Sequence, residues 1–531
     1  MNITRKKFLK TSLLASASVF ASSRMTYSKG RVPGGGLAMS WSDWGNLDAT
    51  GIARLLAAGQ VTPKEVAAQA AKACELLNPK INCVVEIFDD VIADPLKDGM
   101  NQFGAFHGVP MLVKEAGSTM KGRLRESAMA FMKGNRTDKD SPLTRNFRRG
   151  GFNLIGRTAI PAGGMHVTDS LLEGISRSPW NLDHTPGGSS GGTSGAVSAG
   201  IVPIGHGSDG GGSTRSPATL CGLIGHKPTR GLLPAYKSYY LGPIVTEGVL
   251  TKSVRDTALA YDQMIHVAPY DPKFIPAQLP QTPFSQQILN DPKPLKIALN
   301  TGDWTRGGTK IDPEVVERVN EVAKVMESLG HTVVEVKESE ICDQNLLFDN
   351  IRTLLYHYGL DWKALSEATG IPINGETLEP AYRQQVEYRA KHPVTLEIRG
   401  REQAAIVEIS KQVAVFMAKY DALLMPIDLT AASLAGPKNP ISPLAPIHNQ
   451  DDYLNWVELH IDDSRYNTLA NFAGVPAIGF PAGLLSSGLP IGAQLYSTWG
   501  NDGLLMKVAA QIERAKPDWF GLVPPLHSSR L

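Results

Sequence analysis

The sequence predicts an α/β fold, and three observations carry that prediction. Leu295 to Asn300, Asp312 to Leu329 and Thr332 to Val336 read as strand, helix and strand, with Gly330 stopping the helix. Short apolar runs such as Phe106 to Lys114, Phe152 to Thr158 and Tyr420 to Pro426 alternate with segments of helical period along the chain. Between them, Thr185 to Gly231 is dominated by glycine and serine yet broken by apolar runs at Ile201–Ile204 and Leu220–Ile224. A flexible tether has no use for such runs. Gly-rich turns between short buried elements are what backbone held close to a small ligand requires.

Taken in order, Leu47 to Ala58 has apolar residues at helical spacing, with Gly59 as the stop. Thr62-Pro63-Lys64-Glu65 is a capping box that starts a helix from Pro63 to about Leu77, ending before Asn78-Pro79. Val84 to Phe88 is a strand, and the run ending at Lys114 is another. Leu143 to Gly150 is a helix and Phe152 to Thr158 the next strand. Small residues from Gly191 to Gly200 predict a helix packed very closely on its neighbours, and Ile201 to Gly205 a buried strand after it. Val254 to Ile265 is a helix, Pro269 to Pro283 a surface connector, and residues 340–420 are mostly helical. Leu434 to Pro446, with four prolines, predicts a loop near a pocket mouth. Asn467 to Gly483 and Gly488 to Gln494 read as closing strands, and Leu504 to Glu513 as a final amphipathic helix.

Composition narrows the function classes. The chain has 531 residues, 42% hydrophobic and 20% charged, ordinary values for a globular protein with a large core. A net charge of +2 argues against nucleic acid as the main partner. Cys74, Cys83, Cys221 and Cys342 show neither metal-ligand spacing nor a disulfide framework, so no metal and no cofactor are expected. Cys74 and Cys83 are near enough to be bridged, but two separate buried thiols is the preferred reading.

The N-terminus has the plan of an export signal. Arg5, Lys6, Lys7 and Lys10 precede an uncharged, weakly apolar run from Thr11 to Ser23, too short to span a bilayer. T-R-K-K-F-L-K at 4–10 resembles a twin-arginine motif with Lys6 in the second arginine's place. Removing residues 1–21 with their four basic side chains takes the net charge from +2 to −2. The expectation is a signal at 1–21, a connector at 22–40, a single catalytic domain at 41–531 and a periplasmic or exported location. The alternative is a disordered basic tail on a cytoplasmic protein.

Within the Gly/Ser stretch, Ser189 follows Gly187-Gly188 and Ser213, 24 residues on, follows Gly210-Gly211-Gly212. Three glycines can turn their N–H groups into one concave site, able to hold the oxyanion of an acyl-transfer transition state. Ser216-Pro217 predicts a helix start, serine as N-cap and proline at the first helical position, which would place Ser213 in a tight turn before a helix N-terminus. A serine nucleophile needs a base. His206 and His184 are near in sequence, though either could be an ordinary polar residue. Lys114 ends the apolar run G-V-P-M-L-V, and a lysine buried there loses its proton readily, becoming a candidate general base. Taken alone it is more often a strand-end lysine reaching solvent.

Lys114 after G-V-P-M-L-V, G-G-S-S-G-G at 187–192, D-G-G-G-S-T-R-S-P at 209–217 and C-G-L-I-G-H-K-P-T-R-G at 221–231 resemble the amidase signature family. The resemblance runs from about residue 45 to 515. It implies one α/β/α sandwich around a large mixed sheet and a Lys–Ser–Ser triad whose middle serine follows a cis peptide bond. Position by position, it makes Lys114 the base, Ser189 the bridging serine and Ser213 the acylated nucleophile. Gly210, Gly211 and Gly212 would hold the oxyanion. Ser190 would either donate to the site or cap the following helix, and Asp209 and Arg215 would brace the turn. Glu115 stands where aspartate is usual, Gly210 replaces a commoner larger residue and Ser216 an apolar one, departures that bear on substrate fit more than on chemistry. The implied activity is amide hydrolysis of a small molecule through a serine acyl-enzyme, with no stable membrane span. The oligomeric state is open, with a homodimer as the expectation.

Three rivals are weighed. Gly187-Gly188-Ser189-Ser190-Gly191 also fits G-x-S-x-G, the nucleophile elbow of another hydrolase fold, but no apolar strand precedes it and Lys114 would lack a purpose. The ammonia-releasing subunit of a tRNA-dependent amidotransferase shares the signature, but it works in the cytosol with partner chains, which an export signal counts against. A non-catalytic binding protein would have no reason to keep all three triad residues.

Overall fold

The computed structural model of the protein describes residues 37–234, 244–266, 279–304, 308–357 and 361–531. The expected signal at 1–21, all but the last four residues of the connector at 22–40, and residues 269–278 of the expected surface connector lie outside the described residues. In chain order the strands are β1 (Val84–Ile87), β2 (Pro110–Lys114), β3 (Asn153–Thr158), a small ribbon of β4 (Asp169–Ser170) and β5 (Gly174–Ile175), β6 (Ile204–Asp209) and β7 (Ile224–Lys227). There follow β8 (Thr246–Thr251), β9 (Lys296–Leu299), β10 (Thr332–Glu335), β11 (Ala422–Pro426), β12 (Ala477–Leu484) and β13 (Pro490–Tyr496). Eleven of them form one sheet in the order β1-β3-β2-β6-β8-β7-β12-β13-β11-β9-β10. Pairing is parallel for β3-β2, β2-β6, β11-β9 and β9-β10, and antiparallel elsewhere in the sheet.

Side chains alternate across this sheet between two cores, because successive strand residues point to opposite faces. On β11, Ala422 and Leu424 join one core and Leu423 and Met425 the other; on β9, Ile297 and Leu299 face away from Ala298. Helices Pro63–Ile81, Val254–Met264, Pro313–Ser328 and Asp502–Ala515 cover the first face. Helices Gln344–His357, Pro380–Lys391, Leu396–Met417 and Gln450–Ser464 build the second core. The result is the predicted sandwich around a large mixed sheet.

What places the site is the parallel pair β2-β6. Met111 lies opposite Ile204 and Leu112 opposite Gly205, so the two strands end side by side, one at Lys114 and the other at Asp209. Ligand crevices in parallel regions open just outside such carboxyl ends. Helix Gly191–Ser198 packs directly on this pair, and all eight of its residues are buried. A side chain at Gly205 would meet Thr193 Cγ2 at 2.4 Å, so the small-residue run permits the close approach its composition predicts.

Several boundaries differ from expectation for local reasons. The helix expected over Leu47–Ala58 runs Ala49–Ala57, because Asp48 caps it by accepting from Gly51 N–H, and a further short helix, Trp41–Asn46, precedes it. The helix from Pro63 runs through Pro79 to Ile81 and stops at Asn82, which takes a left-handed conformation with φ 47°. The strand expected at Ile201–Gly205 begins only at Ile204 and continues to Asp209. The block Asn467–Gly483 is not all strand: Thr468–Ala473 is a helix, stopped at Gly474, and β12 follows. Strands β7 and β8 were hidden by glycines and by His226, Lys227 and Glu247, polar residues that look out of place in a buried strand. No helix of the described residues is long and apolar enough to cross a membrane.

Candidate active site

Lys114 is wholly buried at the end of β2. Its Nζ lies 2.8 Å from Ser189 Oγ, 2.9 Å from Ser190 Oγ and 3.3 Å from the Ser208 carbonyl oxygen. Among the described residues no carboxylate reaches ion-pair distance of it. Burial therefore pushes the ammonium down to about 7, with the charges of Glu247 and Asp209 opposing the shift from farther off. An amine that titrates there can serve as a base at neutral pH.

Ser189 is presented by a cis Gly188–Ser189 peptide bond, the form the resemblance implied. Gly188 has no alternative at its position: a Cβ there would sit 1.9 Å from the His166 carbonyl oxygen. Ser190 heads helix Gly191–Ser198, but its side chain makes no cap. Of its two expected roles the hydroxyl takes the one toward Lys114, while its N–H donates to the Ser213 carbonyl at 3.2 Å.

The turn carrying Ser213 is organised by Asp209. Its carboxylate accepts from Gly212 N–H at 2.8 Å, Thr214 N–H at 3.3 Å and Arg215 N–H at 3.4 Å. This corrects two expectations. The Gly212 donor is spent inside the turn, which leaves Gly210, Gly211 and Ser213 along the cavity wall. The helix runs Arg215–Leu220 with Thr214, not Ser216, at its head, because the Asp209 carboxylate already satisfies its first N–H groups. Ser216 instead donates to Asp428 Oδ1 at 2.5 Å.

Arg215 is fully buried and braces the turn as expected. It donates to both Asp209 oxygens (2.9 and 3.1 Å), Gln494 Oε1 (2.7 Å), the Asn467 carbonyl (3.0 Å) and Asn471 Oδ1 (2.8 Å). Burial would raise the Asp209 carboxyl, but Arg215 outweighs it and holds the group well below the usual carboxylate range. Asn471 closes the network by donating to the Asp209 backbone and side chain at 2.9 and 3.0 Å.

Neither histidine weighed as a base lines either of the two cavities that Ser213 lines. His206 is buried with Nε2 2.9 Å from Glu247, and His184 forms an isolated bridge to Leu434. Glu115, next to the lysine, is turned away into an ion pair with Arg157 and accepts from Glu126 N–H at 2.6 Å.

Ser189, Ser208, Gly210, Gly211 and Ser213 form one wall of a cavity of about 290 Å³. The opposite wall is largely apolar: Met129, Met132, Met165, Ile351, Leu355 and Phe472. Ile351, Leu354, Leu355 and Leu365 come from the helical region 340–420, which therefore shapes the pocket as expected. Ile441, from the proline-rich loop, reaches a smaller cavity on the other side of Ser213. Sequence reasoning missed the parts taken by Asn467, Asn471, Gln494 and Asp428 and the His166–His460 contact at 2.6 Å. The two asparagines stand in a block read as strand, where polar side chains carry no positional meaning until the turn they clamp is known.

Comparison with known proteins is consistent across sequence and structure. A family profile described as Amidase matches residues 65–506. The 6-aminohexanoate-cyclic-dimer hydrolase of Paenarthrobacter ureafaciens is 30% identical over 501 residues, covering 90% of this chain and 96% of that protein. A solved structure of 6-aminohexanoate cyclic dimer hydrolase superposes with a TM-score of 0.78 at 27% identity, covering 91% of this chain and 99% of the other. A bacterial aryl acylamidase of the amidase signature family gives 0.75 at 25%, covering 90% and 97%.

Proposed function

This chain belongs to the amidase family, and from that premise we propose that it hydrolyses a carboxylic amide through an acyl-enzyme on Ser213. The observation that carries the reading is Lys114, buried without a counter-ion among the described residues and 2.8 Å from Ser189 Oγ, beside a cavity that Ser189 and Ser213 both line. Neutral Lys114 takes the proton of Ser189 as Ser189 takes that of Ser213, and Ser213 Oγ bonds to the amide carbon. The N–H groups of Gly210, Gly211 and Ser213 receive the oxyanion, each donor contributing roughly 3–4 kcal/mol in analogous sites. When the C–N bond breaks, the proton returns through Ser189 to the departing nitrogen, and water then releases the acid.

The apolar wall favours an amide whose acyl part is a hydrocarbon chain or ring. Acylamidase and cyclic-dimer hydrolase activities among the relatives agree with that class. Ser213→Ala lowers turnover of hydrophobic amides by roughly 10⁴-fold or more while thermal unfolding stays cooperative; near-normal turnover rules the assignment out. Offering glutamine in the same assay tests the amidotransferase alternative. Export through residues 1–21, and a homodimer, are likewise proposals. Protein from the native host that starts near residue 22 supports the first, and sedimentation tests the second.

A further inference from the structure

His206 has no part in the triad, yet its partner stands close to the base. His206 Nε2 lies 2.9 Å from Glu247 Oε2, and both side chains are buried. The Nδ1 of His206 has no hydrogen-bond partner among the described residues, so the ring spends its proton on Nε2, aimed at the carboxylate. An N–H in that place steadies the carboxylate without cancelling its charge.

Glu247 meets the surroundings of Lys114 at two points. On β8 it is the residue opposite Ser208, whose carbonyl oxygen lies 3.3 Å from Lys114 Nζ. Its carboxylate also packs on Gly117, three residues after Lys114 and part of the larger cavity's wall, where a Cβ would meet both oxygens at 2.5 Å.

Three buried carboxylates lie near the base, and they differ in what answers them. Glu115 is paired with Arg157, which also holds Glu86 and Glu126. Asp209 is paired with Arg215. Glu247 has no arginine or lysine at ion-pair distance among the described residues, and Lys227, on the adjoining β7, donates to the Pro228 carbonyl at 2.8 Å. His226 and Tyr261, which pack on β8 at Gly248, are turned elsewhere: His226 Nε2 to Asp502 at 3.0 Å, and the Tyr261 hydroxyl to the His226 carbonyl at 2.5 Å. The two arginine pairs cancel most of their own fields, whereas a lone carboxylate in a low-dielectric interior does not.

We infer that Glu247, held by His206, is a positioning residue for the base: its uncancelled negative charge sets how tightly Lys114 holds a proton, and with it the lowest pH at which the triad works. The last clause rests on the amidase reading; the first does not. Of the charges that oppose the effect of burial on Lys114, that of Glu247 is the strongest, ahead of Asp209.

The test reads the amine and the reaction separately. In Glu247→Gln the ¹³Cε titration midpoint of Lys114 falls by about half a pH unit or more, and the acid limb of kcat/KM for a hydrophobic amide moves down with it. His206→Gln keeps a donor beside Glu247 and the charge on it, and leaves midpoint and limb where the parent protein has them. A Lys114 midpoint unchanged or raised in Glu247→Gln overturns the inference, as does an equal fall in His206→Gln; a merely structural pair would lower activity at every pH and move neither. Should Glu247→Gln fail to fold, the unsubstituted protein decides. With glutamate labelled with ¹³C at Cδ, the Glu247 signal takes a step at the Lys114 midpoint, and a signal flat through that range overturns the inference. A midpoint that moves as expected in a protein that turns over no amide defeats the acyl-enzyme reading and leaves the coupling of Glu247 to Lys114 standing.

Discussion

Two buried titratable groups end neighbouring strands and behave in opposite ways. Lys114 closes β2 against two hydroxyls and a carbonyl, with no carboxylate of the described residues at ion-pair distance, and burial drags its ammonium down to about 7. One strand over, Asp209 closes β6 against Arg215, and the pair shares its hydrogen bonds with Gln494, Asn467 and Asn471. Burial alone makes a base; burial with a counter-ion makes a brace. On the proposed mechanism the nucleophile sits on the braced side, in the turn that Asp209 and Arg215 hold, and the proton acceptor on the unbraced side.

Substituting the unbraced side has the largest effect on activity. Lys114→Met lowers kcat/KM by roughly 10²–10⁴-fold, the usual worth of a positioned base. Yet the variant is as stable as the parent or more so. Folded Lys114 gives up its proton near 7, whereas the unfolded side chain does so near 10.5. The unfolded state therefore binds more protons across that window, and stability rises with pH through it. Holding the buried charge costs most at and below pH 7, and the cost is gone above about pH 10.5. Urea unfolding at pH 6 shows Lys114→Met gaining on the order of 1–4 kcal/mol, a gain that shrinks as the pH is raised.

The braced side reverses the pattern. Arg215→Met strands the Asp209 carboxylate without its partner and costs about 3–5 kcal/mol of stability, and activity falls with it. Adding Asp209→Asn returns part of that loss, because the unpaired charge is removed. Were Arg215→Met as stable as the parent, the contrast between the two strand ends would be broken. A smaller effect sharpens it: Asn471→Ala leaves the ion pair but removes one clamp on the turn, costing about 1–3 kcal/mol in the same assay.

Much of this was legible in the chain because backbone chemistry leaves marks. Lys114 at the end of an apolar run, the glycines before Ser189 and Ser213, and the capping box at Thr62 each need particular residues at particular places. The fold class followed from strand–helix alternation. What could not be read was long-range: Asp209 caps the helix after Ser213 and takes the Gly212 donor, a choice made only when the turn is closed. The cavity wall was equally silent. Met129, Ile351, Leu355 and Phe472 are ordinary core residues until three distant segments bring them to one space. Strand β8 was missed because Glu247 reads as exposed; it is buried because His206 on the neighbouring strand meets it.

The claim on which the rest depends is that Lys114 is an uncharged amine at working pH. Lysines labelled with ¹³C at Cε, followed by NMR from pH 5 to 11, report it directly, with Lys114 assigned by the signal missing from Lys114→Met. A titration midpoint near 7 is the result expected here. A midpoint near 10, in step with the exposed lysines, would mean a permanently charged ammonium and would contradict the account.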